Sequence, residues 1–272
     1  MSVFNGAQYL NASISSILNQ TFTDFEFIII DDASQDKSSS IIKKFSCEDS
    51  RIKILKNQHN LGLTRSLNRG LKIAHGKYIA RQDADDLSIS KRLQIQHIYL
   101  KNHPEIFLIG SSAILINDQN KKIGHYLKRD DPQKTAQTLT HHNCILHPSI
   151  MFRNMQIYPP TYKIGGGMYR EKFYYAQDYD FYLLLLTAKK KVSNLPQYLI
   201  KYRYYYRSLT FQNLKTQKRF AQIAREFYNQ RLKRGQDEYN LFNPQDILEK
   251  TKNRTPLLSL QTRIALTRLL KR

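Results

Sequence analysis

The sequence predicts an α/β fold: a sheet flanked by helices, followed by a basic helical C-terminal extension. Three observations predict it. Short apolar runs alternate with segments of helical periodicity through the first 120 residues, two acidic clusters directly follow apolar runs, and the chain from about Phe211 shows helical patterning without a strand signal.

The elements follow in chain order. Residues 11–20 place Ile14, Ile17 and Leu18 on one helix face. Residues 25–30 form a continuous apolar run between polar neighbours, the pattern of a strand covered on both faces. Residues 34–45 read as a helix with Ile41, Ile42 and Phe45 apolar, and residues 52–55 as a short strand. In residues 63–74, Leu63, Leu67, Leu71 and Ala74 recur at helical spacing, Gly76 marks the end, and Tyr78–Ala80 begins the next strand. A helix over 90–101 carries Leu93, Ile98 and Leu100, and a strand follows over 107–116. This alternation predicts a parallel sheet with its strand ends, and any ligand, along one edge.

Beyond Asn117 the pattern loosens. A helix is expected over 130–140, a strand over 147–152 and a flexible glycine loop at 165–167. Residues 178–188 form a strong helix, with Phe181, Leu184, Leu185 and Ala188 together. Three lysines at 189–191 suit the negative end of its dipole. A tyrosine-rich strand over 198–206 and basic helices from about Phe211 complete the chain.

Composition sets the outer limits. A chain of 272 residues can hold one large domain, or one domain with an appendage. Its 41% hydrophobic content excludes wholesale disorder, and no apolar run is long enough for a membrane-spanning helix. The start lacks a secretory pattern, and two cysteines, Cys47 and Cys144, suit thiols in a reducing cytoplasm. The net charge is +21, and residues 189–272 hold 20 basic against 5 acidic side chains. Such a surface attracts nucleic acid, anionic lipid or nucleotide substrates.

The chemistry is carried by Asp31-Asp32, after Phe27–Ile30, and by Asp83-Ala84-Asp85-Asp86, after Tyr78–Ala80. A single Asp-Asp is readily a solvated turn or a helix cap. Two clusters at corresponding strand ends would repel each other unless a cation lay between them. A hard ion with oxygen ligands, Mg²⁺ or Mn²⁺, fits that need.

The runs NGAQYLNASISSILNQTFTDFEFIIIDDASQD and NLGLTRSLNRGLKIAHGKYIARQDADDLSISKRLQIQ, then HPSIMFR and AQDYDFYLLL, resemble family-2 glycosyltransferases in matching order over residues 1–210. The resemblance implies a GT-A fold with a Rossmann-like mixed sheet. It implies a nucleotide-sugar half at about 1–117, an acceptor half at about 118–210 and an extension at 211–272. It also implies inverting transfer from a nucleotide-diphosphate sugar to a hydroxyl of a saccharide or lipid-linked acceptor, as in bacterial capsule, O-antigen or lipooligosaccharide synthesis. Carried over, Asp32 would hydrogen-bond the nucleobase, with Ser2, Phe4 and Asn5 beside it, and Arg65 would lie near base and phosphates. Asp83 would contact ribose, Asp85 would bind the metal, and Asp178 would be the catalytic base. Three residues depart from the family pattern: Phe4 replaces a Tyr, Gln177 a Glu, and Tyr205 stands near a His position in the segment that covers the diphosphate. Only residues 1–4 represent a normally longer first strand, so the expectation is a short strand or a start further upstream.

Other features rank lower. His147 could face the acceptor or be a core histidine, and His141, His142, Cys144 and His147 match no standard zinc spacing. Residues 253–272 read as a basic amphipathic helix suited to an anionic membrane surface or to packing on the catalytic domain. The expected location is cytoplasmic, with peripheral association at the membrane's inner face. Competing readings are an inactive nucleotide-binding relative or scaffold, and a nucleic-acid-binding protein using the Tyr/Arg-rich stretch 202–207. The latter leaves the acidic strand ends unexplained, so no nucleic-acid partner is expected.

Overall fold

A computed structural model describes residues 1–127, 131–156, 168–205 and 213–252. The first layer is a three-stranded parallel sheet of β1 (Ser2–Val3), β2 (Phe27–Asp31) and β3 (Ile52–Lys56), in that order. Helices α1 (Ala7–Leu18), α2 (Ser38–Glu48) and α3 (Leu63–Lys72) connect and cover it. Helix α1 starts four residues earlier than its apolar spacing indicates (Ala7 against residue 11), because neighbours in space satisfy its first donors. The Gly6 N–H donates to Ser38 Oγ at 2.9 Å and the Ala7 N–H to Asp36 Oδ2 at 3.0 Å. Leu10, Ile14 and Ile17 then pack on Phe27 and Ile29 of β2. Helix α3 lies close over the other face, where a Cβ on Gly70 would come within 2.8 Å of Ile30.

The second sheet has the order β4-β8-β6-β9-β5 and contains β4 (Tyr78–Ala80), β5 (Leu87–Ser88), β6 (Ile106–Ile116), β8 (Met151–Arg153) and β9 (Lys191–Arg203). Strand β7 (Lys122–Tyr126) pairs with the far half of β6. This arrangement is the mixed sheet that the resemblance implies, and it corrects the parallel sheet read from the alternation alone. Strand β4 pairs antiparallel with β8, and β6 runs parallel to β9 but antiparallel to β8. The two sheets meet through a parallel bridge between Ser2 and Asp83.

Helices α4 (Arg92–Asn102), α5 (Pro132–His141) and α6 (Gln177–Thr187) pack against this sheet. Two further helices follow, α7 (Leu214–Arg234) and α8 (Gln245–Lys252). The expected strand over 147–152 begins instead as a 3-10 turn, His147–Ser149, where Pro148 has no N–H for a ladder. The last strand starts at Lys191 rather than residue 198, because Lys189, at φ 55°, turns the chain directly from α6 into β9. Helix α6 is buried nearly all round, which explains its continuous apolar run. Helix α7 places Phe220, Ala224 and Phe227 in the same core as Phe107, Phe181 and Leu185. The helix that opens the basic segment thus packs into the same core as α6. The glycine loop at 165–167 and the amphipathic segment at 253–272 lie outside the described residues.

Candidate active site

The first half of the site is built where β1 and β2 end. Asp31 and Asp32 are both 2% exposed. Asp31 Oδ1 accepts from the Ser34 N–H at 2.9 Å, and Oδ2 accepts from Ser39 Oγ. Asp32 Oδ1 accepts from Asn57 Nδ2 at 2.6 Å and the Leu61 N–H at 2.8 Å, and Oδ2 from the Gly62 N–H at 2.9 Å. Asp32 therefore fixes the loop between β3 and α3, and Gly62 allows it by adopting φ 83°. Asn5 takes φ 51°, donates its N–H to Ser34 Oγ at 3.1 Å and accepts from the Gln35 N–H at 2.8 Å. Ser2 pairs with Ile30, and Phe4 is half exposed beside it in sequence. Ser2, Asn5 and Asp32 are thus gathered at one strand end. Arg65 stands on the first turn of α3 with its Nε 3.2 Å from Glu171, both side chains half exposed.

The acidic turn is the second half. One ligand oxygen each from Asp83, Asp85 and Asp86 fits within 4.8 Å of the others. Gln82 folds the turn by donating to the Asp86 carbonyl at 2.8 Å and the Asp83 carbonyl at 3.2 Å. Fully buried Arg92 donates to the Arg81 carbonyl at 2.7 Å and to Gln82 Oε1 at 3.0 Å, and burial lowers its pKa to about 9. The end of β9 closes the turn from the far side. The Arg203 N–H donates to Asp86 Oδ1 at 2.7 Å, its Nε to the Asp85 carbonyl at 2.8 Å, and Tyr205 Oη to Asp85 Oδ2 at 3.3 Å. Burial, then the charge of Asp83, pushes Asp85 up to about 6. Burial and the charges of Asp85 and Asp83 hold Asp86 well above the usual carboxylate range. Asp86 Oδ2 is buried and has no hydrogen-bond partner among the described residues. Crowded carboxylates with raised pKa values and an orphaned buried oxygen form a donor set that a hard divalent cation would satisfy.

Asp178 lies in the first turn of α6, positioned by Ala176 at φ 55° just before the helix. Its carboxylate is partly exposed, and Asn143 Nδ2 donates to Oδ2 at 2.8 Å. Burial raises its pKa, against hydrogen bonds from the Tyr179 N–H and Asn143 and the nearby charge of Arg81.

Arg81 links these parts, and the sequence reading passed it over. It is buried, forms an ion pair with Asp83, and its charge also reaches Asp85, Asp86 and Asp178. Burial works against that charge, but the charge and hydrogen bond of Asp83, with Tyr169 and Asp86, together outweigh it and the guanidinium is held protonated. The available signal was a cation between an apolar strand and an acidic run. Arg203 was also missed as a turn-closing residue. It is 2% exposed with its guanidinium committed to Asn117, Asn120 and Asp85, so it offers nothing to a nucleic acid. His147 is a core histidine: Nε2 lies 2.8 Å from Tyr169 Oη, and burial with Arg81 nearby drives its pKa well down. Among the described residues, the acidic turn is the metal-type cluster, and His141, His142 and Cys144 join none. Cys47 is an exposed thiol and Cys144 a buried one.

A three-stranded parallel sheet bridged to a mixed sheet at an acidic turn is an arrangement of the GT-A fold. The description "Glycosyl transferase family 2" matches residues 1–159, and the chain belongs to that family. It is 36% identical over 229 residues to an uncharacterized glycosyltransferase of Methanocaldococcus jannaschii, covering 81% of this chain and 75% of that one. It is 30% identical over 234 residues to the O-antigen biosynthesis glycosyltransferase WbnJ of Escherichia coli, covering 85% and 88%. Among solved structures, the mannosyltransferase PcManGT of Pyrobaculum calidifontis, in complex with GDP-Man and Mn²⁺, superposes with a TM-score of 0.60 at 14% identity. That match covers 82% of this chain and 61% of that one, and it speaks to the fold.

Proposed function

We propose that the chain is an inverting, metal-dependent glycosyltransferase acting in cell-surface polysaccharide synthesis. It moves a sugar from a nucleotide-diphosphate sugar to a hydroxyl of a saccharide or lipid-linked acceptor. The observation that carries this reading is the acidic turn Asp83–Asp86, with its orphaned Asp86 oxygen, coupled through Arg81 to Asp178. The donor and ion named for PcManGT and the O-antigen role named for WbnJ support it.

Asp32 is a preorganised acceptor: three donors orient it, and Oδ2 keeps a lone pair for a nucleobase N–H. Ser2 and Asn5 frame that base, Phe4 supplies an exposed ring to stack on it, and Arg65 meets the phosphates by releasing Glu171. Asp83 takes the ribose hydroxyls. Asp85, with Asp86, would hold Mg²⁺ or Mn²⁺, which supplies positive charge to the diphosphate as it leaves. Asp178 accepts the proton of the acceptor hydroxyl as its oxygen bonds to the anomeric carbon. The carbon–oxygen bond to the diphosphate breaks on the opposite face, so the anomeric centre inverts. A base held above the ordinary carboxylate range and fixed by Asn143 suits that transfer. No helix among the described residues is long and apolar enough to cross a membrane. A cytoplasmic enzyme on the membrane's inner face fits a lipid-linked acceptor and the basic last third.

A thermal-shift panel of nucleotide sugars with and without Mn²⁺ tests the reading. One donor should stabilise the protein only in the presence of the ion. Equal melting with every donor, ion or no ion, rejects it.

A further inference from the structure

The outer half of the second sheet has one covered face and one open face. Residues paired across neighbouring strands share a face. Ala113 and Leu115 of β6, with Ile200 opposite Ala113 on β9, are buried on the covered side. On the open side, His125 of β7 stands opposite Ile114, and Lys201 and Tyr198 of β9 stand opposite Ile114 and Ser112. Ser112 offers little bulk, so the His125 and Tyr198 rings meet across β6 with centroids 4.8 Å apart. Ile123 precedes His125 by two residues and Leu127 follows it by two, so strand alternation puts both on this side. Ile123 is 51% exposed, Leu127 59% and Tyr198 36%. One exposed apolar side chain is ordinary, but several on one sheet face mark a surface with a partner.

Charge selects the partner. Lys122, opposite Ile116, and Lys201 lie on the same side, and none of the residues that pairing places there is acidic. A second copy of this chain would bring another surface of a +21 molecule against these lysines, which like-charge repulsion disfavours. A nucleic acid would use the lysines and the rings but leave Ile123 and Leu127 against phosphate. A bilayer containing anionic lipid uses them all: acyl chains take the aliphatic side chains, the rings suit the headgroup level, and the lysines meet lipid phosphates. Among the described residues β7 pairs only with β6, and its outer backbone edge needs headgroups or water, which keeps the contact shallow. We infer that this open face is a docking surface for an anionic phospholipid bilayer, seated on Ile123, Leu127 and Tyr198.

The placement suits the site. Arg203 ties the turn between β6 and β7 to the acidic turn: Nη1 donates to the Asn117 carbonyl and Nη2 to Asn120 Oδ1, both at 2.7 Å, and Nε to the Asp85 carbonyl at 2.8 Å. A bilayer on this face therefore lies beside the acidic turn, where a lipid-linked acceptor would be presented. That delivery rests on the proposed function, but the docking does not.

The test uses the full chain and measures no activity. Flotation is run with phosphatidylglycerol-containing vesicles and with phosphatidylcholine vesicles, for the unaltered chain and for a variant combining Ile123→Ser, Leu127→Ser and Tyr198→Ser. The unaltered chain should float with the anionic vesicles. The triple variant should lose at least about tenfold in partitioning at an unchanged melting temperature, because the substituted side chains are exposed. Hydrogen exchange of the unaltered chain gives a reading that no variant's folding can disturb. Anionic vesicles should slow exchange in the fragments spanning 121–127 and 196–202 by about tenfold or more. Equal flotation of both forms, or flotation without protection of those fragments, assigns the lipid contact to the basic helices and overturns the inference. Absence of binding to anionic vesicles also overturns it. So does protection of the same fragments in a lipid-free dimer, or by a single-stranded oligonucleotide but not by vesicles.

Discussion

Arg170 grips Asp180 with two arms of its guanidinium, Nε donating to Oδ2 at 2.8 Å and Nη2 donating to Oδ1, two residues beyond Asp178 on the same helix. Its third arm donates to Asp237 at 2.7 Å, and Asp237 is shared with Arg231 of α7. The guanidinium also lies over the Tyr239 ring, 4.4 Å from its centroid. The helix that carries the proposed base is therefore tied to α7 by a network of buried ion pairs.

Removing one partner should leave the other charge buried and unpaired. Arg170→Ala is expected to destabilise the fold by about 3–5 kcal/mol, read by urea or thermal denaturation. A loss below about 1 kcal/mol would show that water reaches the network.

Asp178→Asn should lower transfer by roughly 10²–10⁴ while leaving the donor's Mn²⁺-dependent thermal shift in place. Asp85→Ala should abolish that ion-dependent shift. Full activity in both variants would reject the assignments.

The pH dependence follows from Asp85, whose pKa lies at about 6 in the fold. An ion must displace its proton, so Mn²⁺ affinity should fall as pH drops through about 6, approaching tenfold per unit below it. In ion-free protein the folded state binds the extra proton, so this group's contribution to stability falls as pH rises from about 4 to about 6 and stays reduced above. Titration calorimetry at pH 5 and pH 7 checks the first effect, and melting in chelator the second.

Arg81 lowers the pKa of both Asp85 and Asp178 through its charge. Arg81→Met should therefore move the acid limb of the pH–rate profile upwards, whereas Arg81→Lys should leave it near the wild-type position. An unmoved limb in Arg81→Met would reduce Arg81 to a packing role.

The sequence by itself determined most elements, because apolar spacing reports which face of a segment is buried. It located Asp32, Asp83 and Asp85, because a carboxylate directly after a buried run must lie at a strand end. Asp178 was marked only by the family resemblance of its segment, since a carboxylate at the start of an apolar helix is equally a helix cap. What the sequence could not determine was which strands pair. The antiparallel partnership of Tyr78–Ala80 with Met151–Arg153 joins segments more than 70 residues apart, and nothing in either segment's periodicity names the other. The return of Arg203 and Tyr205 to the acidic turn, the position of Arg81 between two carboxylate groups and the burial of Phe220 and Phe227 were likewise settled only by tertiary packing. Local pattern encodes burial, but partner choice depends on long-range contacts whose free energy exists only once the chain has closed on itself.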